Sequence, residues 1–259
     1  MTESEFSVGK SAPAGQGPSG TTQSAGLGLE IQQRLSQVDR YNEWIYDQFR
    51  PFAGQRVVDV GCAIGNITKM FLDRELVIGL DVAQEFVDAI RSRYGDRPNF
   101  RAELIDISDP GVTSLAAERI DTILCANVLE HVEHDERALA HMRDILIPGG
   151  RVLLLVPAFR FLFGTMDEAD HHFRRYTKPL LEQRLERAGF VVERSYYMNV
   201  VGMLGWFVNG RILKRQIVSN SHYSLYNKMV PALARLEERI KPRFGLSVVA
   251  IAKKPVDAT

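Results

Sequence analysis

Short aliphatic runs and helix-forming stretches alternate along most of this chain, and that alternation limits the fold more than any other feature. Runs that read as strands cover Arg56 to Val60, Leu76 to Leu80, Phe100 to Leu104, Asp121 to Ala126, Arg151 to Val156, Val191 to Tyr196 and Ser247 to Ala252. Helices are expected from near Asn66, over Gln84 to Tyr94 and over Asp135 to Ile145. Another runs from the cap Thr177-Lys178-Pro179 to Gly189, where glycine suits a left-handed position after a helix end. Such a rhythm builds a parallel sheet, because the crossover helices must cover its faces. Arg151 to Val156 is almost wholly aliphatic, as a strand buried on both faces should be, and Pro148-Gly149-Gly150 turns the chain sharply into it. The expected fold is a doubly wound α/β sheet of seven strands.

Residues 1–28 are rich in Gly, Ser, Thr, Ala and Pro and lack aliphatic periodicity, which predicts a disordered tail. Residues 29–259 are expected to form a single domain. It opens with a helix from about Leu29 to Phe49, in which Ile31, Leu35, Tyr41, Trp44 and Ile45 recur at helical spacing. Late in the chain, residues 199–244 form a helical insert between the last two strands. The insert starts apolar (Val200, Val201, Met203, Leu204, Trp206, Phe207, Val208) and then turns basic (Arg211, Lys214, Arg215). Three uses fit it: a hairpin packed on the core, a lid in which Trp206 touches an apolar acceptor, or a helix lying on a membrane surface.

Lys+Arg and Asp+Glu both number 32, so the formal charge is zero and the excess of basic residues usual in nucleic-acid binders is absent. The only cysteines, Cys62 and Cys125, fall at expected buried strand ends, which speaks against a disulfide framework and for a reducing, cytoplasmic home. No secretory leader and no apolar run long enough for a bilayer is read from the sequence.

The chemistry concentrates after the first strand, in Asp59-Val60-Gly61-Cys62-Ala63-Ile64-Gly65-Asn66. Small residues let a backbone turn tightly and approach a ligand closely, and a helix start offers free N–H groups to an anionic ligand group. The spacing is not the Gly-x-Gly-x-x-Gly of a dinucleotide site, and a carboxylate at Asp59 would repel a pyrophosphate while suiting a cation. A methionyl sulfonium cofactor satisfies both points. Asp81 closes the second strand where an acid can accept ribose hydroxyls, although it could also cap the following helix. Asp106-Ile107 could hold an adenine amine and pack its face, or be a plain loop. Tyr41 and Trp44 could cover the methionyl end.

Taken with Ile78-Gly79-Leu80-Asp81-Val82, Ile105-Asp106, Asn127-Val128-Leu129-Glu130-His131-Val132 and Leu146-Ile147-Pro148-Gly149-Gly150, the loop resembles the class I S-adenosylmethionine-dependent methyltransferases. The likeness is to the small-molecule branch related to ubiquinone-biosynthesis O-methyltransferases, over roughly residues 40–253. It implies strand order 3-2-1-4-5-7-6 with the last strand antiparallel, S-adenosyl-L-methionine as cofactor, and Val82 and Asn127 beside it. One position departs: the middle of the loop, usually Gly, is Ala63, whose methyl bears on the loop's geometry.

Methyl transfer from a sulfonium needs an aligned nucleophile and, for a hydroxyl acceptor, a base. His131, after the fourth strand at the edge where such sheets bind ligands, is the candidate base, with simple lining of the site as its alternative. In the loop Asp167-Glu168-Ala169-Asp170-His171-His172-Phe173-Arg174-Arg175-Tyr176, the residues His172, Arg175 and Tyr176 are candidates to hold a polar acceptor. Adjacent acids and histidines in a loop are a weak metal signal, and none is expected. The expected activity is methylation of a small-molecule or lipid-like acceptor at a hydroxyl oxygen. N- or C-methylation and a non-catalytic cofactor-binding protein are the alternatives.

Overall fold

The computed structural model describes residues 39–215 and 220–256. The tail over 1–28 and the first part of the opening helix lie outside them. The rest of that helix is α1 (Asp39–Phe49), which turns Trp44, Ile45 and Phe49 inward. The chain then runs β1 (Arg56–Val60), β2 (Leu76–Asp81), α2 (Gln84–Tyr94), β3 (Phe100–Leu104), β4 (Ile120–Ala126), α3 (Asp135–Ile145) and β5 (Leu146–Pro157). A one-turn helix α4 (Thr165–Ala169) precedes α5 (Lys178–Arg187) and β6 (Val191–Met198). The insert supplies α6 (Val200–Trp206), continued by a wider π-helical turn over Phe207–Ile212, and α7 (Asn220–Ile240) before β7 (Ser247–Lys253).

The strands form one sheet in the order β3-β2-β1-β4-β5-β7-β6, parallel except for β7, which runs against both neighbours. This is the expected doubly wound topology. Alternation along each strand splits the core in two. Val58, Val60, Ile123, Leu154 and Ala250 face α3 and α5, whereas Val57, Leu124, Leu153 and Val249 face α1, α2 and Val230 of α7. The outer strand β6 has an exposed and half-buried pattern and carries Glu193 and Arg194, as an edge strand should. Both cysteines are free and buried. Among the described residues, no helix is long and apolar enough to cross a membrane.

Two local expectations need correction. No α-helix starts near Asn66; turns lead into a single 3-10 stretch, Thr68–Phe71. Gly65 is left-handed (φ +84), and Thr68 gives its hydroxyl hydrogen to Asp59 instead of opening a helix. Second, Pro148-Gly149-Gly150 does not precede β5 but lies inside it, where pairing with β4 skips from Ile120–Leu146 to Thr122–Arg151. Gly149, at φ +83, absorbs the irregularity.

Candidate active site

The sheet's order reverses between β1 and β4, and the loops leaving those strands meet there. Gly61, at φ +69, turns the chain out of β1, and the N–H groups of Gly61 and Cys62 both donate to Leu80 O at the end of β2 (2.8 and 2.9 Å). A Cβ on Gly61 would fall 2.2 Å from Val128 Cγ2, so the segment following β4 is pressed against the glycine loop. Arg93 of α2 donates to Ile64 O (2.8 Å) and Gly65 N–H to Cys62 O (2.9 Å), which closes the loop on itself.

Ala63 adopts φ +45, a left-handed conformation that costs a non-glycine residue roughly 1–2 kcal/mol. Its methyl therefore leaves the course of the loop intact and stores strain in it. Asp81 holds the strained residue: Oδ2 accepts from Ala63 N–H (2.9 Å) and Oδ1 from Ala83 N–H (3.1 Å). Each oxygen keeps a second lone pair for a ligand hydroxyl.

The electrostatics of this pair suit a cation. Asp59 is 5% exposed and Asp81 7%, and their hydrogen-bond partners are the Thr68 hydroxyl (2.6 Å, to Asp59 Oδ2) and backbone amides. Burial pushes the Asp59 carboxyl up to about 7; the hydrogen bond from Thr68 opposes this and the charge of Asp81 adds to it. Burial also raises Asp81, against its backbone hydrogen bonds. Two desolvated carboxylates with neutral partners gain from a ligand that brings positive charge.

Beside them the sheet edge carries uncovered apolar surface. Val82 is 69% exposed and Leu104 49%, next to the exposed Asp106, whose Oδ1 accepts from Ser108 N–H (2.7 Å). Ile107 corrects the expectation: it is 3% exposed and packs inward, and its carbonyl meets His141 Nδ1 at 2.8 Å. The apolar surface at this edge belongs to Val82 and Leu104 instead. Leu104 was missed because it ends a strand whose pattern reads as ordinary core. Asn127 is exposed and left-handed (φ +54), with its N–H on Leu155 O (2.8 Å). Asn66 is half-buried. Tyr41, also half-buried, sits edge-on to Trp44 and Tyr226, so it locks α1 to α7.

A second cluster surrounds His131. Leu129–His131 forms a single 3-10 turn after β4, with Leu129 and Glu130 pointing inward. A third of the His131 side chain remains exposed, and its ring stands edge-on to that of His172 at 4.6 Å. His172 is gripped from both sides, Nδ1 at 2.9 Å from Asp167 Oδ1 and Nε2 at 3.2 Å from Asp170 Oδ2. Burial opposes a charge on His172, but those two hydrogen bonds and the nearby Glu130 outweigh it and lift its pKa to about 9. Burial, reinforced by the His172 charge, pushes His131 down to about 4. At neutral pH the pair is one imidazolium beside one free imidazole.

Asp167 is the hub of the loop and nothing in the sequence distinguishes it from its acidic neighbours. Fully buried, it accepts from His172, from Arg175 Nε (2.6 Å), from Trp206 Nε1 (3.2 Å) and from Gly164 N–H (3.0 Å). Burial works against its charge, and His172 and Arg175 hold it below the usual carboxylate range all the same. Three expected acceptor contacts are thereby corrected. Arg175 is 5% exposed, with Nη1 on Ala158 O (3.0 Å) and its guanidinium 5.0 Å from the Trp206 ring centre, so it braces the loop. Tyr176 is wholly buried; its hydroxyl donates to Asp135 Oδ2 (2.8 Å) and lies 3.2 Å from Leu129 O, the start of the His131 turn. Trp206 turns its indole N–H inward to Asp167. Only His172 of this group adjoins His131.

Among the described residues, Glu130, His131 and His172 present donor atoms within 4.8 Å of one another, a spacing that could hold a metal ion. Neither oxygen of the buried Glu130 carboxylate has a hydrogen-bond partner, and burial pushes it up to about 7. Against a metal stands His172: a ring with both nitrogens on carboxylates is protonated and has no lone pair to give.

A family model described as a methyltransferase domain matches residues 58–152, from β1 into β5. This part of the chain is a methyltransferase domain, similar to those of the class I S-adenosylmethionine-dependent methyltransferases. Among relatives, a ubiquinone biosynthesis O-methyltransferase of Xanthomonas euvesicatoria is 27% identical over 67% of this methyltransferase and 77% of its own length. An uncharacterized 37.1 kDa protein in a transposon of Streptomyces fradiae is 31% identical over 55% of this chain, which spans only 41% of that protein. In fold, the methyltransferase is similar to an S-adenosylmethionine-dependent methyltransferase of Archaeoglobus fulgidus, with 17% identity, TM-score 0.53, and coverage of 82% of this chain and 94% of the other. The family's cofactor is S-adenosylmethionine. The residues at the mouth of β1, β2 and β3 fit it: desolvated Asp59 and Asp81 for its positive charge and ribose, exposed Val82 and Leu104 for its base.

Proposed function

We propose that this methyltransferase transfers a methyl group to a hydroxyl oxygen of a small or lipid-like acceptor, with His131 as the base that takes the hydroxyl proton. The bound cofactor supplies an electrophilic methyl on a sulfonium. The glycine loop and Asp59 would hold its methionyl end, Asp81 its ribose hydroxyls, and Val82, Leu104, Asp106 and Asn127 its adenine. His131 then needs only to accept a proton as the acceptor oxygen bonds to the methyl carbon and the carbon–sulfur bond breaks.

The observation that carries this reading is the placement of His131, a third exposed, edge-on to His172 at 4.6 Å and next to the glycine loop through Val128, where burial and the His172 charge keep it unprotonated. A base whose pKa is depressed to about 4 is free at every physiological pH. It is also weak, so it serves an acidic hydroxyl, such as a phenol or enol, better than an aliphatic alcohol. His172 adds a positive charge that favours an oxyanion forming nearby. Once protonated, His131 Nε2 lies 3.9 Å from Asp170 Oδ2, which steadies the new charge.

His131→Ala should lower kcat by about 10²- to 10⁴-fold on phenolic acceptors while S-adenosylmethionine affinity, read by calorimetry, stays within error. Unchanged turnover would reject His131 as the base.

A further inference from the structure

The first helix of the insert keeps a row of apolar residues in water. Along α6 and its π-helical continuation, exposed apolar residues recur every fourth position: Leu204 (59% exposed), Val208 (42%) and Ile212 (60%), with Phe207 and Leu213 beside them. The side facing the protein carries half-buried Val200, Val201, Met203 and Trp206 and the buried Gly210, whose carbonyl lies 3.2 Å from the Thr165 hydroxyl. A helix that merely covers a core has no second apolar row in water. A contiguous apolar stripe kept in water marks an interaction surface.

Charge identifies what the stripe fits. From Arg194 to Leu236 the sequence contains no Asp or Glu, but it does contain Arg211, Lys214, Arg215, Lys228 and Arg235, in a chain whose net charge is zero. Arg211, Lys214 and Arg215 are exposed at the end of the stripe. Arg211 donates to the carbonyl of Phe163 (3.0 Å) and Arg215 to the side-chain oxygen of Asn209 (3.1 Å), so these bonds leave the charges unneutralised. An apolar stripe with a cationic end and no acid is the pattern of a helix lying in the headgroup region of an anionic bilayer.

We propose that α6 and its continuation dock the protein on an anionic membrane surface, with Leu204, Phe207, Val208 and Ile212 entering the lipid and Arg211, Lys214 and Arg215 meeting its headgroups. The inner side of the same helix rests on the loop that positions His172. Thr165 donates to Arg215 O (2.7 Å), Arg211 holds Phe163, and Trp206 bonds Asp167, the carboxylate that grips His172. Docking therefore bears on the loop that holds His172 beside His131. The docking itself stands whether or not His131 is the base.

The experiment is co-sedimentation of the full chain with phosphatidylcholine vesicles containing none or about 30 mol% phosphatidylglycerol, at low and high salt. Binding should require the anionic lipid, weaken with salt, and fall at least about tenfold both in Phe207→Asp/Ile212→Asp and in Arg211→Ser/Lys214→Ser/Arg215→Ser. These positions are exposed, and an unchanged thermal transition would verify the fold of each variant. Absence of binding to anionic vesicles, or equal binding by both variants, overturns the proposal. So does a dimer in sedimentation velocity that Ile212→Asp dissociates, which would give the stripe to a second copy.

Discussion

Replacing Asp59 by Asn should favour the cofactor-free variant increasingly as the pH rises, and leave it the more stable form at about pH 8. In the folded chain the Asp59 carboxyl titrates at about 7 rather than 3.8, because burial disfavours its charge. A folded pKa raised above the unfolded one means that the folded state holds the proton more tightly. The penalty is therefore absent below pH 3.8, accumulates as the unfolded chain ionises, and is complete once pH passes the folded value near 7. Each pH unit in that window is worth about 1.4 kcal/mol, so the penalty is about 2 kcal/mol at about pH 5.5 and about 4 kcal/mol at about pH 8. Asn retains an oxygen to accept from Thr68, and its buried amide hydrogens bring a cost of about 1–3 kcal/mol that does not vary with pH. The difference between variant and wild type should thus grow by about 2 kcal/mol between those two conditions, read as urea-unfolding free energies with unchanged slope. Parallel stability curves across this range would refute the claim that a desolvated, ionisable Asp59 sits under the loop. With S-adenosylmethionine present the order reverses, since the ionised carboxylate then has its cation. Wild-type affinity should tighten as pH rises through about 7, and that of the variant should stay flat.

Ala63→Gly should raise the unfolding free energy by a few tenths to about 1 kcal/mol, since relief of the left-handed conformation (roughly 1–2 kcal/mol) exceeds the chain entropy of glycine (roughly 0.5–1); a lower melting temperature would contradict the strain at φ +45. Tyr176→Phe should cost about 1 kcal/mol of stability and leave KM for the acceptor unchanged, because Asp135 keeps its ion pairs with Arg174 and Arg184; a large rise in KM would return Tyr176 to the acceptor. Excess EDTA should leave turnover unaffected, and its abolition with recovery on adding a divalent ion would make Glu130, His131 and His172 metal ligands.

How far the sequence was legible depended on whether a residue's role is set along the chain or across it. The doubly wound sheet follows from the alternation, a local pattern, and the strand order from the family resemblance that the glycine loop and its neighbouring motifs carry. Element limits held to within a residue or two where a pattern ended cleanly, as at Asp135–Ile145. They failed where side chains were diverted: Thr68 is occupied by Asp59, so no helix opens after the loop. The acceptor side was legible only in outline. Asp167-x4-His172-x2-Arg175-Tyr176 reads as a charged loop, and only the packed chain turns Asp167, Arg175 and Tyr176 inward and leaves His172 beside His131. Glu130 is the sharpest case, since a glutamate next to a histidine predicts a solvated pair, yet its carboxylate is buried without a hydrogen bond.

Strained backbone and desolvated acids occur together at one edge of the sheet. Ala63, Asn127, Phe159 and His171 are all left-handed, each in a loop at the carboxyl edge of β1, β4 or β5, and Asp59, Asp81 and Glu130 are desolvated acids at that same edge. Arg119 at the opposite edge and Lys214 and Lys241 after helices are left-handed too, so what marks this edge is the strained backbone together with the desolvated acids. Strain and uncompensated charge persist only where the surrounding structure overdetermines them, and they are released by a ligand that supplies what is missing. For Asp59 and Asp81 the missing component is a cation. For Glu130, buried against a cationic His172 and a neutral His131, it is a proton or a hydrogen-bond donor. A methyl donor that brings positive charge would relieve the half built by Asp59 and Asp81.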